Sequence, residues 1–281
     1  MSTHPIVVSG PLTDSAMKTV THQIGSEILQ HKDGLLIIKA SHYLPKNRLT
    51  ALRQKLNVDI NQLPESFDPN TVGLVISDMD STFIAIECID EIADFANLKP
   101  QISKITESAM RGDINFETSL KQRVALLAGL DTSALERVYN ERLQLNPGAS
   151  DLVKGLHNKP IPFALVSGGF TFFTEKLKAK YALDFTKANT LEIIDNKLSG
   201  KVLGQIVGAQ TKADYLDELC QTLAITPRQT IAMGDGANDL LMMNKAGLSV
   251  GYYAKPAVQE KADIIINHSG LGLVLELILA G

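Results

Sequence analysis

Asp78 and Asp80 stand two residues apart in Asp78-Met79-Asp80-Ser81-Thr82, directly after the apolar run Gly73–Ser77. Two carboxylates at that spacing leave a strand end facing the same general way. One can act as nucleophile or metal ligand and the other as acid and base. A solvated turn with incidental acids carries the same pair, so the pair alone does not decide. Ser167-Gly168-Gly169 follows a second apolar run, Phe163–Val166. A hydroxyl and glycine amides at the entry to a helix form an anion site, although a tight turn needs such glycines for geometry alone. Gly234-Asp235-Gly236-Ala237-Asn238-Asp239 follows a third run, Thr230–Met233. Acids framed by glycines suit a divalent cation, which takes hard oxygen ligands. An Asx-type turn with a helix cap is the plain alternative. Between the last two lies Lys212, after Gln210-Thr211 at a predicted helix start. A cation in a first turn opposes the helix dipole, which points to another purpose than helix stability, though an ordinary solvated lysine is the common case. In this order the four segments supply a nucleophile, an acid/base, metal ligands, phosphate donors and a counter-charge. That set is what phosphoryl transfer through an aspartyl-phosphate requires.

The three apolar runs are suited to strands buried on both faces, and ligands of open α/β sheets bind outside strand carboxyl ends. Short β-rich runs alternate with amphipathic helical stretches along the whole chain, which predicts a doubly wound parallel sheet of the α/β class. At the N-terminus, strands over Pro5–Ser9, Ser26–His31 and Leu35–Ala40 and helices over Leu12–Ile24 and Lys46–Leu56 form a small βαββα-like unit, with Lys32-Asp33-Gly34 as a turn. The Pro-bearing stretch Leu63–Pro69 reads as a linker. Residues 86–145 read as almost wholly helical, with breaks at Pro100 and Gly112-Asp113, and form an insertion after the first core strand. Two domains are expected, a small unit over 1–70 and a larger one over 71–281 with a helical cap at about 86–145. Leu191–Ile194 and Lys201–Ile206 flank Asp195-Asn196-Lys197 and predict a hairpin.

The chain has 281 residues, 44% of them hydrophobic and 21% charged, which excludes global disorder. Its formal net charge of −4 removes most of the electrostatic case for nucleic acid or an anionic membrane as partner. Cys88 and Cys220 form no C-x-x-C and are expected reduced and buried. No apolar stretch approaches a membrane span and the first ten residues lack a signal-peptide pattern, so a soluble, cytoplasmic protein is expected. The six histidines, His4, His22, His31, His42, His157 and His268, show no ligand spacing, so zinc is not expected.

Asp78-x-Asp80-x-Thr82, Ser167-Gly168-Gly169, Lys212 and Gly234-Asp235-Gly236-x-Asn238-Asp239 resemble the four motifs of the haloacid dehalogenase superfamily. Residues 78–93, 115–127, 166–170 and 233–247 are similar to the signature segments of its phosphoserine phosphatases, over about residues 70–281. The resemblance implies a Mg²⁺-dependent hydrolysis of O-phospho-L-serine to L-serine and phosphate, the last step of serine biosynthesis. By it, Asp78 is the nucleophile and Asp80 the general acid/base. Asp78, the main-chain carbonyl of Asp80, and Asp235 hold Mg²⁺. Ser167, Gly168 and Lys212 bind phosphate, and Asn238 makes a polar contact near it. Asp239 orients the metal site or the lysine. Glu87 and Arg123 grip the amino and carboxylate groups of the substrate, and Met110 and Phe116 form the apolar part of its pocket. Residues 1–70 lie outside this resemblance. They are loosely similar to ACT-type regulatory folds, without the last strand.

Residue types by themselves are blander for the insertion. Glu87 reads equally as an early-turn acid, Arg123 as an exposed helix residue beside Glu117 and Lys121, and Met110 and Phe116 as core. The helices of 86–145 could equally be a partner-binding bundle. Three other activities share the motifs in whole or part. A phosphotransferase would pass the phosphoryl group from Asp78 to an acceptor hydroxyl such as that of homoserine. A dehalogenase has no use for Asp80. A phospho-accepting signalling module would keep its phosphate, which Asp80 and the large insertion oppose.

Overall fold

The computed structural model describes residues 4–24, 27–32, 34–40 and 42–280. The chain begins with β1 (His4–Ser9), α1 (Asp14–Ile24), β2 (Glu27–Lys32), β3 (Leu35–Ala40), α2 (Lys46–Leu56) and β4 (Asp59–Gln62). These strands form an antiparallel sheet in the order β2-β3-β1-β4. Ser26 of the predicted second strand and Asp33 of the predicted turn lie outside the described residues. Alternation along β1 and β3 splits the apolar side chains between two faces. Ile6, Val8, Leu36 and Ile38 pack with Val20 and Ile24 of α1 and with Leu49 and Leu52 of α2. Val7 and Ile37 point the other way and join the main core of the molecule.

β4 corrects the expectation that this unit lacks a last strand. All four of its residues are buried, and three of them are polar. Asn61 donates from Nδ2 to the Ile265 carbonyl and accepts from the Ile265 amide, both at 2.9 Å, as a neighbouring strand would. The Asp59 carboxylate accepts from the amides of Asn267 (2.7 Å) and His268 (3.1 Å). The small sheet is thus stitched to the far end of the chain. Leu63–Pro69 is no open linker either, since Phe67 is buried in the main core.

The larger sheet starts with β5 (Leu74–Ser77). The insertion follows as α3 (Cys88–Phe95), α4 (Lys99–Met110), α5 (Phe116–Leu126) and α6 (Ser133–Arg137), with a π-helical turn at Val138–Arg142. Then come α7 (Ala149–His157), β6 (Phe163–Phe170), α8 (Thr171–Tyr181), β7 (Phe185–Ile194), β8 (Lys197–Leu203), α9 (Ala209–Thr222), β9 (Thr230–Gly234), α10 (Leu240–Lys245), β10 (Leu248–Tyr252), α11 (Pro256–Lys261), β11 (Ile264–Ile266) and α12 (Leu273–Ala280). The strand order is β11-β10-β9-β5-β6-β7-β8, parallel except for the β7–β8 hairpin. Helices cover both faces in two apolar layers. No helix among the described residues is long and apolar enough to cross a membrane.

Two features of this sheet position chemistry. Ser77 is in register with Leu165 on one side and Met233 on the other, so β5, β6 and β9 finish side by side. The insertion leaves and returns at one place. Ile84 and Leu145 form an antiparallel bridge, the Ala85 amide donates to the Gln144 carbonyl at 2.9 Å, and the Asn146 amide to the Phe83 carbonyl at 3.0 Å. A second seam runs along β8, where the amides of Gly129 and Leu198 donate to the carbonyls of Leu198 and Leu130, each at 2.8 Å.

Candidate active site

Asp78 follows β5 and closes against the neighbouring strand, its amide donating to the Met233 carbonyl at 2.9 Å. The chain then makes a single π-helical turn, Met79–Phe83, with Ser81 at φ 57°. A non-glycine residue there costs about 1 kcal/mol, which surrounding structure must offset. Asn146 does part of that, donating from Nδ2 to the carbonyls of Thr82 (2.8 Å) and Ile84 (3.1 Å). The turn carries Asp80 round beside Asp78 and into contact with β6. Ser167 donates from Oγ to Asp80 Oδ2 at 3.1 Å and accepts from the Gly169 amide at 2.8 Å. The Cys88 amide donates to Asp80 Oδ1 at 2.8 Å. Gly169 leaves no room for a side chain, since a Cβ there would lie 2.6 Å from Asp80 Oδ2.

Lys212 comes from the first turn of α9 and is fully buried. Its ammonium donates to Asp78 Oδ1 at 2.5 Å and Asp239 Oδ1 at 2.7 Å. The unfavourable dipole position noted from sequence is therefore overridden by two carboxylates. Burial alone would lower the lysine pKa, but Asp239 and Asp78 hold it above the ordinary value. Burial pushes Asp78 well up, while Lys212 pulls it back. Asp80 is also raised, by burial against the hydrogen bond from Cys88. Asp239 accepts from the Gly236 amide as well, at 3.1 Å, which pins the glycine-framed loop to the lysine.

Oxygens of Asp78, Asp235 and Asp239 lie within 4.8 Å of one another, all three residues buried. Three carboxylates concentrated out of water with one buried cation between two of them leave unbalanced negative charge. Lys255, largely exposed, reaches Asp235 only at 3.6 Å. Burial raises Asp235 too. Hard, anionic oxygen donors of this kind fit a small divalent cation. The Asp80 carboxylate is outside this group, engaged by Cys88 and Ser167.

A cavity of about 550 Å³ opens above these strand ends, and the insertion forms its other wall. Asp78, Asp80, Ser167, Gly168, Asp235 and Asn238 line the floor. Glu87, Arg123, Met110 and Phe116 line the wall. The structure so brings these sequence-picked residues of core and insertion to one space, while Lys212 and Asp239 are fully buried and outside its lining, Lys212 bonded to both Asp78 and Asp239. Met110, which residue type alone reads as core, is 72% exposed at the rim. Phe116 is half-buried and packs by Gly168, where a Cβ would come within 2.9 Å of its ring. Glu87 accepts from Ser81 Oγ at 2.7 Å, and partial burial with Asp80 nearby pushes its carboxyl up to about 7. Arg123 donates from Nε to the Ser119 carbonyl at 3.4 Å, and Glu117 is taken up by Lys121 at 2.6 Å instead.

Residues 72–247 match the family model described as haloacid dehalogenase-like hydrolase. The chain belongs to the haloacid dehalogenase-like hydrolases. Among curated relatives of this hydrolase, a phosphoserine phosphatase of Polaromonas sp. is 50% identical over 210 residues, 73% of this chain and 89% of the relative. The crystal structure of a probable phosphoserine phosphatase from Vibrio cholerae, unliganded, superposes with a TM-score of 0.85 at 38% identity, over 99% of this chain and 86% of that one. A substrate-bound phosphoserine phosphatase complex superposes with a TM-score of 0.68 at 39% identity, over 73% of this chain and 97% of that one.

Two asparagines of the hydrolase escape the sequence reading. Asn189 on β7 is buried, donates to the Gly168 carbonyl and accepts from the Val207 amide, each at 2.8 Å, so it fixes the glycine turn to the segment leading into α9. Asn146 holds the turn after Asp78. Both act on main-chain atoms distant in sequence. The only signal was an amide side chain in a stretch of mixed polarity, which many loops also show.

Proposed function

We propose that this hydrolase removes phosphate from O-phospho-L-serine, giving L-serine and inorganic phosphate in the cytoplasm. The carrying observation is that one cavity holds the strand-end acids on its floor and both Glu87 and Arg123 on its wall. An acid and a guanidinium facing the same space complement an amino acid head, since Glu87 pairs with the ammonium and Arg123 can fork to the carboxylate. The high identity to phosphoserine phosphatases supports the same substrate.

In this reading Asp78 attacks phosphorus, the bond from phosphorus to the serine oxygen breaks, and Asp80 gives that oxygen its proton. Burial keeps Asp80 raised, which suits a proton donor. Lys212 occupies Oδ1 of Asp78 and so turns Oδ2 to the substrate. Asp80, now ionised, takes a proton from water, the water oxygen attacks phosphorus, and phosphate leaves with Asp78 restored. Ser167, the Gly168 amide, Lys212 and Asn238 receive the phosphate oxygens. Asp78, Asp235 and the Asp80 carbonyl would hold Mg²⁺, with Asp239 steadying the cluster. The bound cation supplies positive charge that lets two anions meet.

Phosphate release from a panel of phosphomonoesters, with Mg²⁺ and with chelator, tests this. The expected result is Mg²⁺-dependent release with phosphoserine favoured over esters lacking the amino acid head. Equal rates across the panel would reduce the reading to an unspecialised phosphatase.

A further inference from the structure

Two buried side-chain oxygens have no hydrogen-bond partner among the described residues, Thr82 Oγ1 and Ser119 Oγ. They differ in setting. Thr82 is outside the cavity lining, whereas Ser119 is one of the residues that line it. Ser119 lies on α5, only 1% exposed, next to the buried Leu120 and one turn before Arg123. Residues four apart on a helix stand one above the other, so the hydroxyl and the guanidinium share a face. Arg123 Nε is drawn back to the Ser119 carbonyl, which sets the two residues on the same stretch of wall, with Ser119 Oγ itself covered from solvent in the substrate-free protein.

A buried hydroxyl without a partner costs the free protein stability, and an alanine would remove that cost while leaving only a void of one oxygen atom. A ligand that supplies an acceptor removes the cost. The acids of the cavity wall, Glu87 and Asp90, come from the start of α3, so the ammonium end of a substrate belongs there. The donors come from α5. We propose that Ser119 is a specificity residue whose hydroxyl, covered in the substrate-free protein, turns about χ1 to donate to the α-carboxylate of the bound phosphomonoester beside Arg123. This rests on the amino acid phosphate reading above.

The experiment compares phosphoserine with O-phosphoethanolamine, which keeps the ammonium and phosphate and lacks the carboxylate. In Ser119→Ala, the ratio of kcat/KM for phosphoserine to that for phosphoethanolamine falls about tenfold, the scale of one hydrogen bond to a charged group. The thermal midpoint of the substrate-free variant stays equal or rises. Inhibition by L-serine weakens in parallel, while inhibition by inorganic phosphate does not. An unchanged ratio, or a lower midpoint with both esters falling alike, overturns the contact and makes Ser119 structural. A wild type that handles the two esters alike overturns the amino acid reading itself, and the carboxylate contact with it.

Discussion

Lys212 is held on two sides, so losing one partner does not strand it. That makes Asp78→Asn a clean probe of chemistry. The amide is nearly isosteric, Asp239 still neutralises the ammonium, and no nucleophilic oxygen of the right basicity remains. Phosphoserine turnover is expected to vanish while the circular dichroism and thermal midpoint stay near wild type. Activity within about tenfold of wild type, only about 1.4 kcal/mol of barrier, would remove Asp78 from its assigned role. Arg123 tests the other half of the cavity. It touches no strand-end acid by hydrogen bond, so Arg123→Ala should spare the phosphoryl chemistry. It is expected to lower kcat/KM for phosphoserine by about 30-fold to several thousand-fold, the loss of a charged partner in a closed site. With p-nitrophenyl phosphate the same variant loses much less. Equal losses on both would move Arg123 to the phosphate or the scaffold.

At the scale of elements, the site depends on how closely β6 approaches the turn after β5. Gly169→Ala would push a methyl group within 2.6 Å of Asp80 Oδ2 and 3.0 Å of Ser167 Oγ. Shifting a proton donor by even part of an ångström is expected to reduce kcat about 100-fold, with KM for phosphoserine changed far less. Steady-state kinetics on the folded variant checks it. The strand ends were legible from sequence because polar clusters interrupt apolar runs abruptly at Ser77, Val166 and Met233. β4 was not, because Asp59, Asn61 and Gln62 spoil the apolar pattern of a strand. Their polarity is satisfied by β11, by the start of α2's approach at Leu44, and by the segment at Asn267-His268, all invisible to local reading. In the β7–β8 hairpin the first strand was underestimated for a similar reason, since β7 begins at Phe185 with polar residues that pack beside β6, and the second was placed too late, at Lys201–Ile206, whereas β8 runs over Lys197–Leu203 and takes in the last residue of the predicted turn.

The whole molecule is tied together by side chains as much as by its core. Asn61→Ala leaves the amide and carbonyl of Ile265 without partners in a buried position, each worth about 1–3 kcal/mol. The thermal midpoint is expected to drop on the order of 10 °C, while kcat/KM at low temperature is unchanged, because no cavity residue lies before Asp78. A midpoint within a degree or two of wild type would mean that the small sheet contributes nothing to holding β11. The insertion is joined differently. It departs after Phe83 and rejoins at Asn146 through paired main-chain atoms, and its seam with β8 is again main chain on main chain. Main-chain pairing places no demand on which side chains are present, and ends already in contact make the length of what lies between them nearly free. Reaction and recognition can therefore drift apart in descent. A different run of residues grafted between those two points would change which molecule is admitted and leave the attacking atom where it is.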